Sequence, residues 1–181
     1  RRSRARPAAH GEDCAQRFSA PGPETVGNAY ADAADPAMPA DWREAAVLIP
    51  LVARESGIRV LRTRRTETLR QHSGQVSFPG GARDETDADI VATALREAHE
   101  EIGITARRFH PVGFLDRFAT ISRYVVTPVV AWLDSNYQAV PNPHEVSEVF
   151  EIPLSHLLDE AQYFERTVEF GGHIRQVGEF Q

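Results

Sequence analysis

The stretch D-I-V-A-T-A-L-R-E-A-H-E-E-I-G-I, residues 89–104, decides how the rest of the chain is read. Ile90, Val91, Ala94, Leu95, Ala98 and Ile102 recur at the three- and four-residue spacing of one helical face. The spacing predicts a helix over residues 88–102. Thr86, Asp87 and Asp89 are candidates to cap its start, and Gly103 supplies its stop. The second half of this helix is acidic. Glu97 and Glu101 are four apart and stack on one side, with Glu100 one turn from Glu97. At about 100° per residue, Glu97 and Glu101 fall at the border of the apolar stripe. Such like charges cost roughly 0.2–0.5 kcal/mol per pair, and the helix dipole disfavours anions at this end. Two readings stand: a solvated acidic helix end with Arg96 as its internal counter-ion, or an oxygen ligand set for magnesium or manganese.

Immediately upstream, Phe78-Pro79-Gly80-Gly81 reads as a tight turn whose backbone can approach a ligand closely. The Gly81 carbonyl is a further candidate metal ligand; taken alone, the same residues make an ordinary turn. Further back, residues 46–53 form an apolar run read as a buried strand, with Pro50 placing it at a sheet edge or a bulge. Residues 58–63 are its hairpin partner across Gly57, and residues 75–78 are extended. Downstream, residues 112–115, 124–133 and 148–152 are strand-like, and Pro153 opens a short helix through Glu160. Residues 167–170 and 173–177 flank Gly171-Gly172, a hairpin signal. The mixture is α/β (α+β), with a mixed β-sheet rather than a regular βαβ series.

The ends differ from this middle. Residues 1–41 hold five of the 12 prolines and few large apolar side chains, so they read as an irregular Ala/Pro-rich leader before a domain over residues 42–181. The chain opens without Met, so its start is expected to differ from the natural one. Arg1 and Arg2 are followed by no apolar segment and so are not read as a secretion signal. No apolar run approaches the roughly 20 residues of a membrane helix, so no membrane is expected. A net charge of −6 argues against a nucleic-acid partner. It does not exclude an anionic substrate, because a bound metal reverses the local sign. The one cysteine, Cys14, allows no intrachain disulfide and fits a reducing, cytoplasmic compartment.

The string Arg96-Glu97-Ala98-His99-Glu100-Glu101-Ile102-Gly103-Ile104, with Gly81 ahead of it, resembles the Nudix box, G-x5-E-x7-R-E-U-x-E-E-x-G-U with U a bulky aliphatic. Ala98 is small for U. Fourteen residues separate Gly81 from Arg96, one more than the box has. Counted back from Arg96, the isolated Glu position holds Ala88; counted forward from Gly81, it holds Asp87, and Glu85 or Asp87 is the candidate substitute. A second stretch, L-R-T-R-R-T-E-T-L-R-Q-H-S-G-Q-V-S-F-P-G-G over residues 61–81, is similar to the signature of the coenzyme A diphosphatase branch, L-L-T-x-R-S-x3-R-x3-G-x3-F-P-G-G. Thr63, Arg65, Arg70, Gly74, Phe78, Pro79, Gly80 and Gly81 fit it, while Arg62 and Thr66 depart from its Leu and Ser. Asp84 with Asp87, and Thr93-Ala94-Leu95, also look like this branch. The resemblance spans residues 45–153, and because members continue into a final helix the C-terminus is expected to be truncated.

The resemblance implies a Nudix fold, a mixed β-sheet sandwiched between helices. It implies metal ligation by Glu97 and Glu101, with Glu100 as a further ligand or a base, and Arg96 orienting a glutamate. Magnesium or manganese would be the cofactor. The reaction would be hydrolysis of a diphosphate in a small anionic substrate; for coenzyme A the products are phosphopantetheine and adenosine 3′,5′-bisphosphate. A base outside the helix falls to Glu145 or Glu148, unless H-E-V-S-E-V is a solvated turn before a strand. Arg70, His72 and Gln75 are the expected substrate contacts, with Arg70 on phosphate; His72 reads equally as a capped loop histidine. His99 is expected to be exposed. The Arg62–Arg65 cluster either draws in an anionic substrate or is an exposed face. The alternatives are a Nudix hydrolase for ADP-ribose or another nucleoside diphosphate derivative, and a non-catalytic module that binds a nucleotide. A homodimer is possible on family grounds alone.

Overall fold

Strand β1 (Arg43–Arg54) carries apolar residues at alternate positions, and the sheet is assembled around it. The computed structural model describes residues 41–67, 74–120, 122–170 and 173–180; the leader, Arg70, His72 and Gly171-Gly172 lie outside them. Strand β2 (Gly57–Arg65) returns antiparallel to β1 through Leu51–Arg54, across the hairpin expected at Gly57. Strand β3 (Val76–Ser77) pairs antiparallel with β2 at Thr63–Arg64, and β4 (Gly80–Ala82) pairs antiparallel with β1 at Ala45–Val47. Beyond the helix come β5 (Phe109–Phe114), β6 (Phe118–Ala119) and β7 (Tyr124–Leu133). β7 lies parallel to β1 along its length, from Arg43↔Tyr124 to Val52↔Leu133, and holds β5 and β6 antiparallel. Strand β8 (Val146–Pro153) closes the sheet on β2. One parallel pair among antiparallel ones makes the sheet mixed, as read from the sequence. Strands β9 (Tyr163–Phe170) and β10 (His173–Phe180) form a separate antiparallel pair.

Helix α1 (Ile90–Ile102) begins two residues later than its periodicity predicts, because Asp89 is the cap: its Oδ1 accepts from the Ala92 N–H at 2.7 Å. Gly103 ends it in the left-handed region at φ 69°, donating to His99 O. Ala94, Ala98 and Ile102 are fully buried against Ala46, Leu48, Leu61 and Val129. The short side chains at 94 and 98 let α1 lie close over β1 and β4. The other described α-helix is one turn, α2 (Leu154–Leu157), opened by Pro153; it is shorter than the helix expected through Glu160, and a separate 3-10 turn covers Glu160–Gln162.

Two expectations need correction. Pro50 lies in a central strand, not at an edge. The Leu48 N–H, two residues earlier and so on the same side of the strand, donates to Pro79 O at 2.8 Å. Pro50 therefore turns its missing donor to the gap between the β4 and β2 ladders and removes no ladder bond. Nor do Gly80 and Gly81 make a tight turn. They are strand residues, and the left-handed glycines among the described residues are Gly57, Gly74 and Gly103. What Gly80 and Gly81 provide is closeness: a Cβ on Gly80 would collide with Ala46 O and stand 2.7 Å from Val47 Cα, and one on Gly81 would stand 2.5 Å from the Glu97 carboxylate.

Candidate active site

The acidic side of α1 faces the β4 glycines. Glu101 is 2% exposed. It accepts from the Gly80 N–H, and its Oε1 stands 3.6 Å from Arg65 Nη1. Oε2 has no hydrogen-bond partner among the described residues, nor has Arg65 Nε. Burial pushes the Glu101 carboxyl up to about 8; Arg65 opposes the shift, and the nearby charges of Glu145 and Glu97 add to it. Glu97 is half-buried and is also raised, first by burial, with Arg96 opposing and Glu100 and Glu145 adding. A pair of carboxylates held apart from water, one oxygen unmet, is an environment that favours a cation.

Arg96 organises the opposite flank. Its Nε and Nη2 grip the Asp87 carboxylate at 2.9 and 3.0 Å, and Nη2 also donates to Ala82 O at 3.0 Å. Nη1 reaches Glu97 at 2.9 Å and Glu100 at 3.1 Å. The forked pair holds the Asp87 carboxyl well below the usual carboxylate range. Asp87 is also tied to its own loop, accepting from the Asp84 N–H at 2.9 Å. Of the residues offered at the isolated acidic position, Asp87 is the one that meets Arg96; Ala88 and Glu85 are exposed. Asp84 and Asp87 close a turn in this loop, the Asp87 N–H donating to Asp84 O at 3.0 Å.

The two candidate bases separate. The loop before β8 docks on the end of α1, where Val140 and Asn142 N–H groups bond the Ile102 and Glu101 carbonyls at 2.8 Å each. That docking brings Glu145 close enough for its charge to act on both Glu97 and Glu101. Asn142 Nδ2 donates to Glu145 Oε1 at 3.4 Å. Glu148 instead pairs with Arg64 at 3.1 Å, both side chains about half exposed. His99 is exposed. Gln75 is exposed too, and its carbonyl accepts from the Arg65 N–H at 2.9 Å, near the buried pair. In the sequence Arg65 stood out as a match to the branch signature and as one of an arginine cluster, not as a partner of Glu101; strand alternation turns it to the α1 side and Arg62 to the other. Among the described residues no three carboxylate, imidazole or thiol side chains converge on one point: Glu100 is turned toward Arg96, while Glu97 and Glu101 flank the glycines.

A model of the NUDIX domain matches residues 42–169. The chain belongs to the Nudix hydrolase family. In it α1 is the helix of the Nudix box, and β4 holds the glycines ahead of it. The peroxisomal coenzyme A diphosphatase NUDT7 of Mus musculus is 42% identical over 126 residues, covering 70% of this chain and 53% of the mouse protein. The Nudix hydrolase NudL of Enterobacter sp. (strain 638) is 43% identical over 135 residues, covering 75% of this chain and 70% of its own. The chain thus spans about half the length of the mouse relative. Among solved structures, the Nudix hydrolase RenU of M. smegmatis aligns with TM-score 0.55 at 26% identity, over 64% of this chain and 73% of that one. The Nudix domain of Shewanella oneidensis NrtR, solved with ADP ribose, aligns with TM-score 0.51 at 20% identity, over 75% and 84% of the two chains, and shares the fold. Among the described residues no helix is long and apolar enough to cross a membrane.

Proposed function

We propose that this Nudix domain hydrolyses the diphosphate of coenzyme A or its derivatives, giving phosphopantetheine and adenosine 3′,5′-bisphosphate. The observation that carries the reaction is the buried Glu101 carboxylate, one oxygen unmet, beside Glu97 at the Gly80–Gly81 close approach. The substrate rests on residues 61–81 and on the mouse relative named a coenzyme A diphosphatase. Nudix hydrolases generally need a divalent metal, and the donor set here fits one: carboxylate oxygens, one buried without a partner, suit magnesium or manganese. Glu97 and Glu101 would hold it, with Glu100 as a further ligand and the Gly81 carbonyl as a backbone candidate. When bound, such an ion polarises phosphoryl oxygens and lowers the pKa of a water.

The chain's own residues supply the remainder. Arg96 holds Glu97 and Glu100 in place and is itself anchored by Asp87. Arg65 partly offsets the charge of Glu101. Glu145 is the base we favour over Glu148, since its carboxylate reaches the acidic pair electrostatically, whereas Glu148 is engaged by Arg64. It takes a proton from the attacking water as the new P–O bond forms and the anhydride P–O bond breaks. Gln75, with Arg70 and His72 shortly before it in the sequence, are the proposed substrate contacts. The single Cys14 supports a reducing, cytoplasmic setting, and a homodimer would be detected by sedimentation. The test is product analysis with coenzyme A and with ADP-ribose, with and without magnesium or manganese. Metal-dependent release of adenosine 3′,5′-bisphosphate from coenzyme A is expected. Cleavage of ADP-ribose alone would keep the chemistry and overturn the substrate.

A further inference from the structure

On the sheet face away from α1, Val47, Phe78, Phe114, Phe118 and Pro128 contribute to the lining of a cavity of about 620 Å3, in which Asp116 is the one charged lining residue among the described residues. A volume of this order suits a small organic ligand. Arg62 stands beside it: its guanidinium lies 4.0 Å from the centre of the Phe78 ring, and Nε donates to Ser77 O at 3.3 Å. The other arginines of β2 each have a carboxylate: Arg59 meets Glu151, Arg64 meets Glu148 and Arg65 meets Glu101. Arg62 has none within ion-pair distance among the described residues, although burial already disfavours its charge. A guanidinium partly withdrawn from water without an anion costs stability, and a planar cation stacked on an aromatic ring is preorganised for phosphate. The family signature carries Leu at this position, so the cation is a feature of this chain.

Resting on the coenzyme A reading, we propose that this cavity takes the adenine of a 3′-phosphorylated adenosine and that Arg62 holds the 3′-phosphate. Phenylalanine rings stack on a purine. Asp116 offers an acceptor for its exocyclic amine, a neutral donor. The pantetheine arm is uncharged and would leave Arg62 unmet, and ADP-ribose carries no phosphate beyond its diphosphate. The cavity backs onto the ladder that carries the acidic site, on the opposite face of the sheet. Val47 is the register partner of Gly80, whose N–H is bound by Glu101, so the cavity and the carboxylates share the β1–β4 ladder.

Coenzyme A and 3′-dephospho-coenzyme A are compared as substrates of the wild-type protein, Arg62→Leu and Arg62→Lys. Arg62→Leu restores the residue of the family signature and so is expected to fold, which circular dichroism checks. KM for coenzyme A should rise about ten- to a hundredfold in Arg62→Leu with kcat little changed, the worth of one charge-assisted phosphate contact. The preference for coenzyme A over its dephospho form should collapse toward one. Arg62→Lys, which keeps charge without the fork, should fall between. An equal loss on both substrates would assign Arg62 to the diphosphate, and no loss on either would make it structural; each overturns the proposal. A second readout needs no turnover. Adenosine 3′,5′-bisphosphate should bind the wild-type protein about tenfold tighter than AMP, and Arg62→Leu should abolish the difference. If the wild-type protein cleaves neither substrate, the coenzyme A reading fails by itself, while equal binding of the two nucleotides sinks the Arg62 site whatever the turnover.

Discussion

Two shielded carboxylates, Glu101 on α1 and the part-buried Glu151 on the sheet, have opposite fates. Glu151, on β8, is met on every side: Arg54 grips it through Nε at 3.1 Å and Nη2 at 2.5 Å, Tyr137 donates its hydroxyl at 2.8 Å, and Arg59 stands at 3.3 Å. Its carboxyl is lowered, first by the Arg54 hydrogen bonds, while burial beside it pushes the Tyr137 hydroxyl up to about 12. Glu101, across β2, has one arginine at 3.6 Å and an oxygen that no described residue meets, and its carboxyl is pushed up to about 8. Burial alone therefore does not mark a functional acid. The distinction is satisfaction: Glu151 is a cross-strand clamp joining β1, β2 and β8, whereas Glu101 is held in a state that another positive charge would complete.

The sharpest way to break this comparison is to neutralise each acid in turn. Glu101→Gln should lower kcat/KM by about a hundredfold or more, the scale seen when a preorganised electrostatic group is removed. Its melting temperature without metal should hold or rise, since an unmet buried charge is gone. Glu151→Gln should do the reverse, costing about 1–3 kcal/mol of stability with kcat/KM within about twofold. If Glu151→Gln proved the inactive variant, the assignment of roles would be wrong. Next in size, Glu145→Gln should cost about a hundredfold in kcat as the loss of a general base, with Glu148→Gln near wild type. Equal losses would remove the argument from loop docking.

The sequence carried much of this, unevenly. Helix α1 and strand β7 were legible because each is a continuous local pattern: a 3.6-residue stripe bounded by Asp89 and Gly103, and an apolar run from Tyr124 to Leu133. Strand β4 was not, because Pro79-Gly80-Gly81 has turn composition, and only the close approach of Ala46, Val47 and Glu97 explains glycine there. Pro50 misled because its missing donor matters only on one side of the strand, and the sequence does not say which side lacks a partner. The acidic trio was visible, but the burial of Glu101 within it was not: that depends on β4 and on the docked 140–145 loop. The Arg54–Tyr137–Glu151 clamp joins residues 97 apart in sequence and leaves no local trace. Arg70 and His72 fall outside the described residues.

The register of the acidic loop offers a smaller test. Asp87 is buried and shares two hydrogen bonds with Arg96, so Asp87→Ala should strand that guanidinium and cost about 2–3 kcal/mol. It should also loosen Glu97 and weaken metal binding, since outer partners of a site are worth about ten- to a hundredfold in affinity. Glu85→Ala should be silent in both thermal melts and metal titration. A silent Asp87→Ala with a costly Glu85→Ala would move the isolated acidic position to Glu85.

The smallest effect is a dependence on pH in which the two acids pull in opposite directions. Glu101 has its folded pKa raised from 4.5 to about 8, so its contribution to metal-free stability is complete below about pH 4.5 and is lost as pH rises through about 8. Glu151 is lowered, so its contribution is present above the unfolded carboxylate range and is lost only as pH falls through its folded pKa. In chelator, the melting temperature should therefore drop by a few degrees between about pH 5 and about pH 8, and Glu101→Gln should flatten that slope while Glu151→Gln leaves it. With manganese present the trend should invert, because the ion requires the ionised carboxylate and its affinity climbs through the same window. A slope that persists in Glu101→Gln would mean that another group titrates there, and Glu97, raised by the same burial, would be the next to replace.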